Sequence, residues 1–281
     1  MRARDLLPLA LLGGIAAIIV VQGREMGRNR EARRATQATQ ATQKRTDTAP
    51  PVIQTAQPQG QPAQKPLAAA GLDVPPAELR ASEEPPPVRD DAVVRQQVRD
   101  NASGTYILAI LEQQQQMLLR WPQRQRDALR VHIARDVALS DWDANYPVVA
   151  ERVFDEWKEA GFPLRFDIVT DRVGSDIQIS WIDRFPASEG PRIGMTTKAR
   201  DQSGWLVSAE VAVATHGPDG EVMSPELVAG IIRHEVGHAL GLGHSGNPAD
   251  VMYPESRVNT ISAADRATLH LLYMLPPGFV K

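Results

Sequence analysis

The sequence predicts an α/β domain over residues 121–281, in which strands and helices share one mixed sheet. Three observations predict it. Leu129–Ile133 and Leu206–Ala214 are alternating apolar runs, with the period of half-buried strands. Asn145–Ala160 places Val148, Val149, Val153, Phe154 and Trp157 at helical spacing. Two further helices have marked starts: Ser224-Pro225-Glu226 offers a cap and a proline at the first turn, and Ser262 precedes the last apolar-periodic stretch. Helices and strands ordered in this way fold as layers around one core.

The chain has 281 residues, a net charge of −3 and no cysteine, and its length allows one or two domains. Residues 1–50 hold nine basic and four acidic side chains, a net of +5, which leaves −8 on the rest. An acidic globular part argues against a nucleic-acid partner. Without cysteine there are no disulfides, no thiolate metal site and no lipidated cysteine.

From the N-terminus, Leu6–Val21 is an uncharged apolar run with Arg2 and Arg4 before it, so residues 1–22 read as a signal anchor or a signal peptide. The run is long for a signal core and Val21-Gln22-Gly23 is a poor cleavage site, which favours an uncleaved anchor. Residues 23–88 read as a disordered linker rich in Pro, Gln, Ala and Thr, with Ala-Thr-Gln repeated from Ala35 and prolines from Pro50 to Pro87. Residues 89–120 read as helical, with Val94, Val98, Ile107, Ile110, Leu111, Met117 and Leu118 at three- and four-residue steps and a break at Ser103-Gly104. Gln113–Gln116 reads as a water-facing stretch. This segment is open to three readings: a helix packed on the domain, an inhibitory pro-segment or a self-association helix. Amphipathicity favours packing.

Within the domain, Leu129–Ile133 reads as the first strand and Asn145–Ala160 as a helix capped by Asn145 and stopped by Gly161. Leu164–Val169, Ile177–Trp181 and Leu206–Ala214 read as further strands.

Residues 234–245 read HEVGHALGLGHS. His234 and His238, four apart, lie on one helix face, where two imidazoles can grip one Zn²⁺. Glu235 stands beside the first and can act as a general base toward water. Gly241 can end the helix in a left-handed conformation and turn His244 back to the same ion. Three neutral nitrogens leave a fourth position open, the arrangement of a catalytic zinc. A bare H-E-x-x-H occurs by chance on ordinary helices; a third histidine at the required distance behind a glycine does not follow from chance alone. His132, His216 and His270 have no paired ligand spacing and read as packed or surface residues. Calcium remains possible but unassigned: Asp201, Asp219 and Glu221 lie in turn-rich stretches without an EF-hand pattern.

H-E-x-x-H-x-x-G-x-x-H followed by Val251-Met252-Tyr253-Pro254 matches the metzincin signature. With Ser245 directly after the third histidine, the chain resembles the matrixin branch, the matrix-metalloproteinase-like endopeptidases. Ser175–Trp181 is similar to the matrixin strand that often reads A-D-I-x-I-x-W, and Ile261–Asp265 through Tyr273 is similar to the closing helix. The resemblance spans about Trp121 to Tyr273. It implies a zincin-like domain with a mixed twisted sheet, an active-site helix and a C-terminal helix, acting on protein or peptide substrates outside the cytoplasm, whether anchored or secreted. It implies Met252 as an apolar floor under the ligands. Pro254 matches the family's proline-x-tyrosine, although Ser256 replaces the tyrosine. Gly194-Met195-Thr196 resembles the edge strand to which an extended peptide adds, and an ordinary loop strand fits equally well. Asp265 matches an acid that supports the Met-turn or a mature N-terminus in the family, while the helix dipole alone would also account for it. The cysteine of the animal latency switch is absent. A zinc-binding, proteolytically silent surface module is one alternative function, over which Glu235 favours the enzyme; a zinc hydrolase of small substrates is a third reading.

Overall fold

The computed structural model describes residues 78–280, except for 81–83, 124–127, 187, 189–190 and 256–257. The expected anchor at 1–22 and most of the expected linker lie outside these residues. Among the described residues no helix is long and apolar enough to cross a membrane.

A six-stranded mixed sheet forms the domain, from β1 (Glu78–Leu79), β3 (Leu129–Ile133), β4 (Phe166–Val169), β5 (Ile177–Ile182), β6 (Gly194–Arg200) and β7 (Leu206–Ala214), in the order β1-β6-β7-β5-β3-β4. Only the β6–β7 pair is antiparallel. β1 falls inside the stretch read as linker, and pairs only with Ala199 and Arg200. Beyond that short pairing, Gly194–Lys198 has no strand on its outer side among the described residues. A separate two-stranded ladder joins β2 (Met117–Leu118) to β8 (Gly278–Phe279).

The helices are α1 (Asp91–Asn101), α2 (Ile107–Gln113), α3 (Asn145–Glu159), α4 (Pro225–Ala239) and α5 (Ala263–Met274). α4 packs on β6 and β7 and along α3. The Trp157 indole of α3 is fully buried and donates to the Arg233 carbonyl of α4 at 3.0 Å. Alternation buries Leu129, Val131 and Ile133 on β3, and Ile177, Ile179 and Trp181 on β5.

Ser224 and Ser262 cap α4 and α5 as expected, accepting from Leu227 and Asp265 amides. Asn145 does not cap α3. It is the first helical residue, and its amide donates to Asp143 Oδ1 at 2.8 Å instead. The expected break at Ser103-Gly104 separates α1 from α2, with Gly104 at φ +75°. Met117 and Leu118, read as the end of a helix, form β2 instead. Gln115 and Gln116 take φ of +52° and +63°, left-handed values that end the helix and turn the chain. The glutamine run does not simply face water: Gln113 and Gln114 turn inward, onto the bend after α4.

Candidate active site

α4 carries His234 and Glu235 one turn before His238, and just past its C-cap Leu240 comes Gly241, whose φ is +104°. Gly241 N–H donates to the His238 carbonyl and Leu242 N–H to the Gly237 carbonyl, each at 3.0 Å. This pair of bonds is the Schellman arrangement, which needs a left-handed residue and so favours glycine. A side chain at 241 would also collide with the Leu119 carbonyl. The bend brings His244 back against the helix.

The three rings converge. His238 Nε2 lies 3.1 Å from His234 Nε2 and 3.1 Å from His244 Nε2. Tetrahedral zinc with bonds of about 2.0–2.1 Å sets its ligand nitrogens roughly 3.3 Å apart. His234 Nδ1 faces the Val251 carbonyl at 2.8 Å and His238 Nδ1 faces the Leu242 carbonyl at 3.0 Å. A carbonyl only accepts, so each Nδ1 carries the proton and each Nε2 turns a lone pair toward the centre. Lone pairs facing one another at this distance repel unless a cation lies between them. The donor set fits Zn²⁺, which accepts neutral imidazole. Burial holds His238 well below the usual imidazole range, and a second positive charge this close to His234, His244 and Lys198 is disfavoured as well. That keeps it in the neutral, ligating form.

Glu235 is buried beside His234. Thr196 Oγ1 lies 2.6 Å from its Oε2 and 2.9 Å from its own carbonyl oxygen. One hydroxyl proton serves both, and the shorter contact is to the carboxylate. Gly194 leaves room for the same group, since a Cβ there would sit 2.6 Å from Glu235 Oε1. Of the edge strand singled out from sequence, Thr196 is therefore buried against Glu235, while Met195 is half-buried. Two residues on, Lys198 also faces inward and is 1% exposed, and its Nζ has no hydrogen-bond partner. Burial pushes its pKa down to about 8 against the attraction of Glu235.

Met252 is fully buried, and its sulfur occupies the space that a side chain at Gly237 would need. The floor thus requires a glycine inside the helix motif, which the sequence reading passed over. Asp265 fixes this turn. Its Oδ2 accepts from Val251 N–H and Ser262 N–H, both at 2.9 Å, and its Oδ1 accepts from Tyr106 Oη at 3.0 Å and Met252 N–H at 3.4 Å. Ser245 Oγ donates to Asp250 and Ser245 N–H to the Met252 carbonyl, closing the loop from the other side. Pro254 is exposed, and Ser256 lies outside the described residues.

The other candidates separate from the site. His216 is buried with Nδ1 3.1 Å from Asp183 Oδ1, His132 has an unpartnered buried Nδ1, and His270 is exposed. Asp201 Oδ1 accepts from Ser203 and Trp205 amides at 2.9 and 2.8 Å, an Asx turn. Among the described residues, His234, His238 and His244 form the group of metal-ligating side chains whose ligand atoms all lie within 4.8 Å of one another.

Comparison with known proteins agrees with this geometry. No curated protein matches the chain. The matrixin family model matches residues 121–274, more than half of the 281-residue chain, and contains the whole histidine cluster. The chain belongs to the matrixins and is a zinc metalloendopeptidase.

Proposed function

We propose that peptide hydrolysis proceeds at the three-histidine centre with Glu235 as general base. The observation that carries this reading is the convergence of three imidazole Nε2 atoms next to a carboxylate held by a neighbouring strand. His234, His238 and His244 hold Zn²⁺ through Nε2. When bound, the ion supplies Lewis acidity, which acidifies water and polarises a carbonyl. Glu235 takes the proton of the attacking water and hands it to the departing amine. The Thr196 hydroxyl holds the carboxylate through Oε2, and Gly194 leaves room for it on the Oε1 side. An extended substrate adds to the outer edge of β6 at Gly194–Thr197, with backbone hydrogen bonds orienting the scissile bond. Met252 and Gly241 shape the cradle, and Pro254 borders the specificity side. The enzyme works outside the cytoplasm, held at a membrane by Leu6–Val21 or released after its removal; the apolar run and its flanking arginines support this.

The test is casein cleavage by the full chain with and without a zinc chelator, alongside Glu235→Gln. Cleavage that the chelator abolishes is expected. The variant should keep stoichiometric zinc and lose about 10²–10⁴-fold in rate, the usual contribution of a general base. Hydrolysis by Glu235→Gln at the native rate would remove Glu235 from the mechanism. Stoichiometric zinc without any cleavage by the native chain would point to a silent binding module.

A further inference from the structure

Gln113 stands at the end of α2, eight residues before the first residue of the matrixin match. Its side chain meets the backbone of the third histidine twice. Oε1 accepts from His244 N–H at 2.7 Å, and Nε2 donates to the His244 carbonyl at 2.9 Å. A carboxamide is a peptide unit in miniature, so Gln113 does for His244 what a neighbouring β-strand would do. Residues 242–245 belong to no helix or strand, so no regular ladder orders this loop. Gly243 makes the approach possible: a Cβ there would sit 2.6 Å from Gln113 Oε1 and 3.2 Å from Ile110 Cγ1. The next amide, Ser245 N–H, is fixed by the Met252 carbonyl at 2.8 Å. The loop carrying His244 is therefore gripped from both sides, by the Met-turn and by a helix that the family match does not include.

We propose that Gln113 is a positioning residue for the metal centre, and that α2 is in consequence an integral part of the zinc site and not a removable pro-segment. The other two ligands sit on the rigid α4, whereas His244 sits on a loop, and a ligand on a loop must be ordered before it can contribute fully to affinity. Gln113 does that ordering ahead of the metal. Neighbours that orient ligands in this way are commonly worth 10–100-fold in metal affinity. The same segment is anchored elsewhere: Tyr106 N–H donates to Thr268 Oγ1 at 3.0 Å, and Arg89 Nη1 donates to the Pro277 carbonyl at 2.6 Å. α2 thus has a fixed base from which to hold the loop. The proposal rests on the three histidines binding zinc.

The experiment measures the zinc Kd of the full chain by competition with a chromophoric chelator. Gln113→Ala is expected to weaken zinc at least tenfold. Gly243→Ala, which pushes the Gln113 side chain away without changing it, should weaken zinc similarly and add little in the Gln113→Ala background, because both remove the same contact. Arg89→Ala is the control: it loosens the same segment away from the loop, so its Tm falls while its zinc Kd stays within twofold of the native value. A Gln113→Ala Kd within twofold of native overturns the proposal. So does an equal loss of affinity in Arg89→Ala, which would show that general loosening accounts for the effect. Should the native chain bind no zinc at all, the metal reading itself falls, a result distinct from either. Amide exchange in the metal-free native chain tests the contact without any substitution. His244 N–H should be protected as the helix amides are, and exchange as fast as that of exposed Gly246 overturns the proposal.

Discussion

The sheet supports two helices and treats them differently. Beneath α3, the inward residues of β3 and β5 are all apolar, with Val131 and Ile177 fully buried. Beneath α4, the inward residues of β6 include Thr196 and Lys198, which are as deeply buried as the hydrocarbons yet polar. The first region has the composition that maximises stability, since burial of apolar area is the main favourable term. The second gives up part of that stability. Its hydroxyl fixes the carboxylate next to the histidines, and its ammonium lies in the dark without a hydrogen-bond partner. The difference teaches where the fold has been bent to chemistry: in one strand, over three residues.

Substitutions on either side can break or sharpen this contrast. The largest effect is expected on the apolar side. Trp157→Ala removes a fully buried indole and its bond to Arg233, and should cost about 3–5 kcal/mol in urea unfolding. On the polar side the sign reverses. Lys198 is charged in the unfolded chain up to its usual pKa of 10.5 but releases its proton near pH 8 when folded. The native state therefore carries the full penalty below about pH 8, and stability rises as pH climbs from 8 toward 10.5. Lys198→Met should raise stability at neutral pH by on the order of 3 kcal/mol and flatten that rise. A series of denaturation curves across the window checks both, and a variant less stable than native at pH 7 would contradict this account of the strand. The smallest effect is that of Thr196→Val, which keeps shape and loses the hydroxyl. Stability should change by about 1 kcal/mol. By contrast kcat should fall about tenfold with KM nearly unchanged, equivalent to ~1.4 kcal/mol at the transition state.

Much of this was legible in the sequence where periodicity is strong. Leu129–Ile133 forms a strand at the expected limits, α3 runs where the apolar spacing places it, α4 opens at the expected proline, and the two serine caps hold. The histidine triad was legible because its spacing is local: two ligands share a helix face and the third follows a glycine only six residues on. What could not be read is non-local or concerns backbone sign. Gln115 and Gln116 adopt left-handed conformations with no glycine to announce them, so the chain after α2 turns into β2 where the pattern continued a helix. Gln113 looked like a surface residue because its partner lies 131 positions away. Lys198 gave no signal, since lysine in an alternating strand normally marks the solvent face. Gly237 was missed for a related reason: its role depends on Met252, which only the folded chain brings against it.

Asp265 joins three parts of the chain through one carboxylate: Tyr106 from the segment ahead of the matched region, the amides of the Met-turn, and the start of α5. Such a hub restricts what descent can change. A lineage that replaced the aromatic hydroxyl would need another donor aimed at the same oxygen, while one that lost the acid would strand several amides at once. Positions 106 and 265 should accordingly drift together among homologues carrying this N-terminal extension, while position 265 is released from that tie in those without it.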